Sequence, residues 1–194
     1  MSYYESVTAQ IVETLRRIVG GQHVLYDEPE RMQGYAHDEV AGDEYARMPE
    51  VVVKPGSAQE ISEIVRLANR ERIPVTPRGA GSGLSCGAVP VFGGILLSVE
   101  RMNHILEIDA ENMTVTVESG VVTNDINEAV QEYGLFYAGY PMSVESCFVG
   151  GNVAENAGGG RAIKYGVTGR YVLGLEVVLP TGEIVQLGGK RVKD

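Results

Sequence analysis

The sequence predicts an α+β fold made of two small subdomains, and three observations on its 194 residues support this. The predicted helices and strands follow one another in a mixed order, without the regular alternation of a doubly wound sheet. The glycines are concentrated, since more than half of the 25 lie in residues 79–94 and 139–174. Each half of the chain carries one such segment. We therefore expect an N-terminal helical appendage at residues 1–45 and subdomains at residues 46–110 and 111–194.

In the first half of the chain, periodicity and capping signals define the predicted elements. Apolar residues recur every three or four positions over residues 5–19, which is typical of an amphipathic helix. Ser57 is a good N-cap, and Glu60 three residues later completes a capping box, so a further helix begins there. The predicted helices are residues 5–19, 29–35 and 57–72, and the predicted strands are residues 51–53 and 73–76.

In the second half, β-branched and alternating stretches predict a run of strands interrupted by one helix. Thr123 is the expected N-cap of that helix, which continues to about Tyr133. A turn at residues 109–112 joins two of the strands, and Thr181-Gly182 joins a C-terminal antiparallel pair. The predicted strands are residues 94–99, 105–109, 114–118, 175–180 and 183–187.

Composition excludes several classes of protein. There are 16 Lys and Arg against 26 Asp and Glu, a net charge of −10, whereas a nucleic-acid binder carries a basic footprint. The three histidines and two cysteines show neither metal-ligand nor CxxC spacing, so we expect no metal site and no disulfide framework. Cys86 is either a packing residue or a redox-sensitive thiol. No secretion signal or membrane-spanning run is recognisable, which predicts a cytoplasmic protein.

The first loop, Pro77–Gly87, follows a predicted strand and contains Gly79, Gly81 and Gly83. Glycine lets backbone N–H groups approach a ligand closely, and successive N–H groups form concave nests for phosphate oxygens. The alternative is a connection that only turns the chain, but so many glycines cost extra backbone entropy. The spacing matches neither the Rossmann fingerprint nor the P-loop. We interpret the segment as a phosphate-binding loop of a different kind.

The second loop, residues 150–166, combines glycines with amide side chains and cations. Asn152 and Asn156 can both donate and accept hydrogen bonds, which suits the ring edges and ribose of a nucleotide. Arg161 and Lys164 either offset phosphate charge or are solvated, and the tyrosine after Lys164 either stacks on a ligand or is buried. Two such loops in one small domain predict a ligand with a phosphate-rich middle and two ends, which is a dinucleotide.

Five stretches carry a family resemblance: Pro77–Gly87 and residues 141–143, 150–159, 164–168 and 172–183. Together they resemble the FAD-binding domain, of the PCMH type, of the vanillyl-alcohol oxidase superfamily. The similar branch contains the FAD-linked subunit of glycolate oxidase and the D-lactate dehydrogenases. The resemblance covers about residues 25–194 and implies a two-subdomain FAD-binding fold whose second subdomain is incomplete.

The resemblance implies that the first loop holds the pyrophosphate of FAD and that the second lines the isoalloxazine and ribityl chain. Some members attach FAD through a histidine of the first loop, where this chain has Ser82, and others through a cysteine, where it has Ser146. Non-covalent FAD is therefore implied. The implied cofactor-binding residues are Pro77, Arg78, Gly79, Ala80, Gly81, Ser82, Gly83, Pro141, Ser146, Gly150, Gly151, Asn152, Asn156 and Gly159.

Complete members of the family oxidise a 2-hydroxy acid by hydride transfer to the flavin. They pass the electrons to an electron-transfer flavoprotein, an iron–sulfur subunit or quinone. They also carry a substrate cap domain with the catalytic motif, and by this comparison the sequence ends before it. The resemblance thus implies that the chain has no catalytic residue and is inactive alone. Two alternatives stay open: a separate FAD-binding subunit that needs a second chain, and an inactive remnant whose open sheet edge favours oligomers.

Overall fold

The computed structural model describes residues 3–190, which fold into two compact units. The first unit runs to Arg101 and includes Glu176–Val185, and the second comprises Met102–Leu175 and resumes at Gln186. These units do not coincide with the predicted boundaries at 45/46 and 110/111. A boundary at 110/111 would separate two strands that pair as an antiparallel hairpin, and the hydrogen bonds between them keep both in one unit.

A four-stranded sheet forms the centre of the first unit. Its strands are β1 (Val24–Leu25), β2 (Val51–Val53), β3 (Val75–Arg78) and β4 (Ile95–Ser98), in the order β1-β2-β4-β3. β2 and β3 pair parallel with β4, and β1 pairs antiparallel with β2. The three parallel strands therefore end at the same edge, which we call the carboxyl edge of the sheet.

Helices cover both faces of this sheet. They are α1 (Ala9–Val19), α2 (Pro29–Met32) and α3 (Ala58–Glu71). On one face, Val53 and Leu97 belong to a core that also contains apolar residues of α1 and α3. On the other face, Val52 and Leu96 cluster with Met32 of α2. Successive strand residues point to opposite faces, so strands that are apolar throughout are buried on both sides.

The N-terminal helix differs from its prediction in start and in role. It begins at Ala9 because Thr8 is the N-cap residue, whose Oγ1 accepts a hydrogen bond from the N–H of Ile11 at 3.4 Å. Leu15 is 0% exposed and Val12 is 1% exposed in the core of the first unit. The helix that the sequence places in an N-terminal appendage is therefore part of that core.

The predicted capping of α3 is confirmed in one half. The Ser57 hydroxyl accepts a hydrogen bond from the N–H of Glu60 at 3.2 Å. The Glu60 carboxylate accepts from the N–H of Gly56 at 2.7 Å, one residue before the position that a capping box requires. Both interactions satisfy donors at the start of the helix, which confirms where α3 begins.

Strand β3 begins two residues later than the sequence predicts. Arg72 ends α3 in the left-handed conformation, and the N–H of Ile73 still donates to the carbonyl of Ala68 at 2.9 Å. The strand includes Pro77, which has no N–H to donate, and this is tolerated because β3 lies at the edge of the sheet. The first loop therefore starts directly after Arg78.

The second unit is built from a hairpin and short helices. The hairpin is β5 (Ile105–Asp109) with β6 (Thr114–Val117), and the helices are α4 (Thr123–Val130), α5 (Val149–Ala154) and α6 (Ala162–Tyr165). Val121, Ile126 and Val130 form its core. Val122, and not Thr123, is the N-cap residue of α4, because the buried hydroxyl of Thr123 donates to the carbonyl of Cys147 at 3.2 Å.

Two further strands, β7 (Gly174–Val178) and β8 (Ile184–Gly188), pair in a two-stranded sheet close to the predicted positions. Among residues 3–190, no helix has the length and apolar character needed to cross a membrane.

Candidate functional site

The first loop lies at the carboxyl edge of the sheet in the first unit. It begins where β3 ends and leads the chain back to β4, the parallel neighbour of β3. Ligands of open α/β sheets bind at this edge, in the crevice outside the ends of the strands. Of the predicted residues, Pro77 is exposed, Arg78 is buried and residues 79–83 are half-buried. The segment predicted to bind phosphate thus stands where such sheets bind ligands.

The backbone of the first loop carries hydrogen-bond donors that the protein does not use. Within the described part of the chain, the N–H groups of Gly79, Ala80, Gly81 and Gly83 donate to no protein acceptor. Gly81 has a φ of +76°, the left-handed conformation found in concave arrangements of N–H groups. Since unpaired N–H groups require a partner, a ligand oxygen or water must accept from them. The donor set fits a pyrophosphate.

Gly81 and Gly83 differ in which protein atoms lie where a side chain would be. A Cβ atom at Gly81 would lie 2.0 Å from Nη2 of Arg78, which no contact tolerates. A Cβ atom at Gly83 would meet no protein atom within 4 Å, and the backbone there is not left-handed. Gly21, outside the loop, is equally open, so open space alone does not mark a site. Beside unused N–H donors, however, the space at Gly83 leaves room for a ligand.

The side chain of Arg78 is turned towards the protein. It is 7% exposed, Nη1 donates to the carbonyl of His37 at 2.7 Å, and Nη2 donates to the carbonyl of Gly34 at 3.0 Å. Burial lowers the pKa of Arg78, and the carboxylate of Asp38 opposes this shift. The resemblance implies that Arg78 is a cofactor-binding residue, and in the structure both terminal nitrogens of its side chain donate to backbone carbonyls.

A polar network surrounds Glu100, just beyond the carboxyl end of β4. The Glu100 carboxylate accepts from the Tyr35 hydroxyl at 2.9 Å and the Ser98 hydroxyl at 3.0 Å, and lies 2.6 Å from Nζ of Lys54. Burial alone would raise the pKa of Glu100, but hydrogen bonds from Lys54 and Tyr35 outweigh it and lower the pKa. The same contacts raise the pKa of Lys54 against the effect of burial. The network is therefore charged at neutral pH.

We expect the substitution Glu100→Gln to destabilise the chain at neutral pH but not in acid. Because its folded-state pKa is lowered, Glu100 stabilises the fold above its unfolded-state pKa, and this is lost as the pH falls through the folded value. The loss in free energy of unfolding should be greatest near pH 7 and shrink below about pH 4. Urea denaturation at several pH values measures it, with the exposed Glu63→Gln as control. A loss independent of pH would contradict the charged network.

In the second loop, the amide side chains predicted to bind the ligand are bonded to the protein. Asn152 is 4% exposed, and its Nδ2 donates to Oγ1 of Thr123 at 2.5 Å. Asn156 has a φ of +50°, and its Oδ1 accepts from the N–H of Gly169 at 2.9 Å. Asn152 therefore connects α5 to Thr123, and Asn156, just after α5, connects that segment to the backbone of Gly169.

The glycines of the second loop also differ in what surrounds them. A Cβ atom at Gly150 would lie 2.8 Å from Cβ of Ser119, and one at Gly159 would lie 2.0 Å from the carbonyl oxygen of Tyr140. A Cβ atom at Gly151 would meet nothing within 4 Å. Gly150 and Gly159 thus allow close packing within the second unit, whereas Gly151 has open space beside it.

The segment before α5 contains the remaining predicted residues. Pro141 is buried, and Ser146 is exposed with its hydroxyl donating to the carbonyl of Ser143 at 3.3 Å. Cys147, one position further, is 3% exposed, and its Sγ lies 3.3 Å from Oγ1 of Thr123. The thiol nearest to the implied attachment position therefore faces the interior of the second unit.

The two cations of the second loop lie over aromatic rings. The guanidinium carbon of Arg161 is 4.2 Å from the ring centre of Tyr140 and 6.0 Å from that of Phe136. Nζ of Lys164 is 4.8 Å from the ring centre of Tyr165, which in turn meets Phe136 edge-on at 5.7 Å. Both cations are exposed, so the structure agrees with a surface position and leaves them able to contact an anion.

Two buried polar side chains near the loops belong to no motif that the sequence shows. Asp38 is 6% exposed close to the first loop, and its Oδ2 has no hydrogen-bond partner among the described residues. Thr168 is 1% exposed, and its hydroxyl donates to the carbonyl of Ala157 at 2.8 Å. Asp38 lies near Arg78, forty positions later in the chain, so no local spacing could have indicated that proximity.

The family described as an FAD binding domain matches residues 49–188 of the chain. Because the match covers most of the chain, the protein belongs to this family of PCMH-type FAD-binding domains, and its cofactor is FAD. This confirms the fold class and the cofactor that the sequence implies. The unused N–H donors of the first loop agree with that assignment.

Curated relatives place the domain among the glycolate oxidase and D-lactate dehydrogenase type of flavoenzymes. The chain is 43% identical over 188 residues to the glycolate oxidase subunit GlcD of Bacillus subtilis (strain 168), covering 97% of this chain and 39% of that protein. It is 45% identical over 185 residues to a D-lactate dehydrogenase of Anaerostipes hadrus, and the match covers 95% of this chain and 38% of that protein. The chain thus spans about two fifths of the length of these relatives.

Solved structures show the same fold. Alkyldihydroxyacetonephosphate synthase matches with a TM-score of 0.81 at 22% identity, over 97% of this chain and 35% of that one. p-Cresol methylhydroxylase matches with a TM-score of 0.75 at 25% identity, over 94% of this chain and 36% of that one. These likenesses confirm the two-subdomain fold of the vanillyl-alcohol oxidase type.

Proposed function

We propose that the chain is the FAD-binding portion of a flavin-dependent 2-hydroxyacid dehydrogenase or oxidase, with glycolate or D-lactate as the substrate of the whole enzyme. The observation that carries this is the first loop, where N–H groups without a protein acceptor stand at the carboxyl edge of parallel strands. Bound FAD supplies the acceptor for a hydride from the substrate. The names of the two curated relatives support the substrate class.

In this proposal residues 79–83 of the first loop bind the pyrophosphate through backbone N–H groups, and Pro77 and Arg78 at the end of β3 lead into them. The net charge of −10 repels a phosphate at long range. Backbone N–H dipoles can bind the pyrophosphate locally and do not require a cluster of cationic side chains. The second loop serves the isoalloxazine and ribityl chain. There Gly151 offers open space, and Asn152 and Asn156 act by holding the backbone. The residues we assign to this part are Pro141, Ser146, Gly150, Gly151, Asn152, Asn156 and Gly159.

The rest of the proposal concerns the whole enzyme. We assign a catalytic role to none of the described residues, and we propose that the general base and the substrate contacts belong to the rest of the whole enzyme or to a second chain. The electrons pass from the flavin to an electron-transfer flavoprotein or an iron–sulfur subunit. The compartment we propose is the cytoplasm.

The test is a titration of the flavin-free chain with FAD, followed by visible absorbance after desalting. We expect FAD to be retained, ADP to compete with it, and adenosine, which lacks the pyrophosphate, to compete far less. Glycolate and D-lactate should leave the bound flavin oxidised under anaerobic conditions. A chain that takes up no FAD would refute the proposal, and reduction by either acid would show that the catalytic residues lie within this sequence.

The flavin should be released completely when the holoprotein is precipitated with acid. Ser82 and Ser146 stand at the two implied attachment positions, and the thiol of Cys147 is buried against Thr123. The measurement is flavin absorbance in supernatant and pellet, together with the mass of the intact polypeptide. A polypeptide heavier by one FAD would contradict non-covalent binding.

A further inference from the structure

Arg78 links two segments that are far apart in the sequence. Its guanidinium donates to the carbonyls of Gly34 at 3.0 Å and His37 at 2.7 Å, and also reaches the carbonyl of Ala88 at 3.4 Å. The first two carbonyls belong to residues 34–39, which follow α2, and the third belongs to the chain that leaves the first loop. One planar group therefore holds both segments.

A backbone contact joins the same two segments directly. The N–H of Glu39 donates to the carbonyl of Gly83 at 3.0 Å, so residues 34–39 lie alongside the glycines of the first loop. Gly83 also has open space where a side chain would lie. The segment 34–39 therefore forms part of the frame that holds the N–H donors.

A neighbouring carboxylate offsets part of the cost of burying Arg78. Asp38 is 6% exposed and is the neighbouring opposite charge, and one of its carboxylate oxygens has no hydrogen-bond partner in the described part of the chain. A buried charge is costly unless an opposite charge lies near it. The ring of Tyr35 lies 5.8 Å from the guanidinium carbon. The carboxylate of Asp38 therefore acts against the burial cost of the Arg78 guanidinium without cancelling it.

The backbone at Gly81 passes directly over the guanidinium. A Cβ atom at Gly81 would lie 2.0 Å from Nη2 and 2.3 Å from Cζ of Arg78. The absence of a side chain at Gly81, whose φ is +76°, therefore lets the loop backbone lie close to the guanidinium.

We infer that Arg78 is a positioning residue: it fastens the first loop to residues 34–39 and so keeps the loop N–H groups placed for FAD, without itself binding the pyrophosphate. The inference rests on the proposed function, because it concerns the same FAD site. It replaces the direct phosphate contact that the sequence suggests for this side chain.

Arginine is required here because of its fork. Two terminal nitrogens reach carbonyls of different residues, whereas lysine carries its three donors on one nitrogen, which cannot stand at the positions of both Nη1 and Nη2. Arg78→Lys keeps the positive charge beside Asp38, so it tests geometry without leaving a buried carboxylate unpaired. The double variant Arg78→Met/Asp38→Asn removes both charges and provides a second, neutral pair. Arg47→Met is the matched control, since exposed Arg47 donates to the carbonyls of Glu44 and Ala46 outside the loop.

The experiment has two readouts on each variant. Amide hydrogen exchange is followed without flavin at Glu39, whose N–H donates to Gly83, and at Val89, whose N–H donates to Cys86. The amide of Thr123, which donates to Cys147 in the second unit, is the internal reference. FAD affinity is then measured by fluorescence titration of the same samples.

For Arg78→Lys and for the double variant we expect exchange at Glu39 and Val89 to be faster by about tenfold or more, and FAD affinity to fall by a similar factor. Exchange at Thr123 and both readouts in Arg47→Met should stay unchanged. Weaker FAD binding with unchanged exchange would overturn the inference in favour of a direct phosphate contact. Faster exchange with unchanged FAD affinity would overturn it in favour of a purely structural role.

The two proposals fail in different ways. If the wild-type chain takes up no FAD, the proposed function fails, and with it the claim that Arg78 serves FAD. The exchange data, recorded without flavin, then still decide whether Arg78 fastens the first loop to residues 34–39.

Discussion

Replacing Gly83 with valine is expected to weaken FAD binding by at least about 100-fold, which corresponds to about 2.7 kcal/mol. The free energy of unfolding of the flavin-free chain should change by no more than about 0.5 kcal/mol. Both expectations follow from the open space at this position, where a Cβ atom meets no protein atom within 4 Å. A valine side chain would begin in space that no protein atom occupies, so it should not disturb the fold. It would, however, fill the space through which a ligand reaches the N–H donors. FAD titration and urea denaturation measure the two quantities.

Gly21→Val is the matched control, because Gly21 is equally open but lies in the connection between α1 and β1. It should change neither quantity. Gly81→Val is a poor test of the same idea, because its side chain would collide with Arg78 and strain a left-handed residue. It should therefore reduce both stability and FAD affinity. If Gly83→Val binds FAD as well as the wild type, the first loop is not the pyrophosphate site.

Truncation of Leu15 to alanine should lower the free energy of unfolding by about 3–5 kcal/mol, a large part of the stability of a domain of this size. Leu15 lies on α1, is 0% exposed, and belongs to the core shared with β2, β4 and α3. Removal of its side chain leaves a cavity that rigid neighbours on the sheet cannot fill. Urea denaturation of the flavin-free chain measures the loss.

Gln10→Ala on the exposed side of the same helix is the control, and we expect a change within about 0.5 kcal/mol. The difference between the two variants in free energy of unfolding shows whether α1 belongs to the core or is a peripheral appendage. Should Leu15→Ala cost no more than Gln10→Ala, α1 would be peripheral, as the sequence suggests, and the first unit would be stabilised without it.

Local signals in the sequence were sufficient where the structure depends on local interactions. Ser57 begins α3 because its hydroxyl satisfies an N–H three residues away, and that spacing is visible in the sequence. The apolar run Val51–Val53 indicates a strand that is buried on both faces, and β2 is such a strand. The first loop stands out in the sequence because residues 79–83 contain three glycines. The structure places it at the carboxyl edge of the sheet.

Side-chain roles at the site were not predictable, because they depend on contacts between distant residues. Asn152 has the right groups for a nucleotide, but its amide meets Thr123, which lies 29 positions earlier. Arg78 has the right charge for a phosphate, but its donors meet carbonyls more than forty positions earlier. Hydrogen-bonding capacity is a property of the residue type, whereas the choice of partner is decided by the fold. The sequence therefore indicates which groups could bind a ligand, but not which protein atoms these groups contact in the fold.

The glycines of the two loops fall into two kinds, and this affects how the sequence can vary. Gly81, Gly150 and Gly159 make room for the protein itself, whereas Gly83 and Gly151 leave room beside the backbone. A library of variants selected only for folding would keep glycine at the first three positions and replace it freely at the other two. Selection for flavin would restore glycine at both. The positions at which glycine is kept only under selection for flavin would identify the residues that lie against the cofactor.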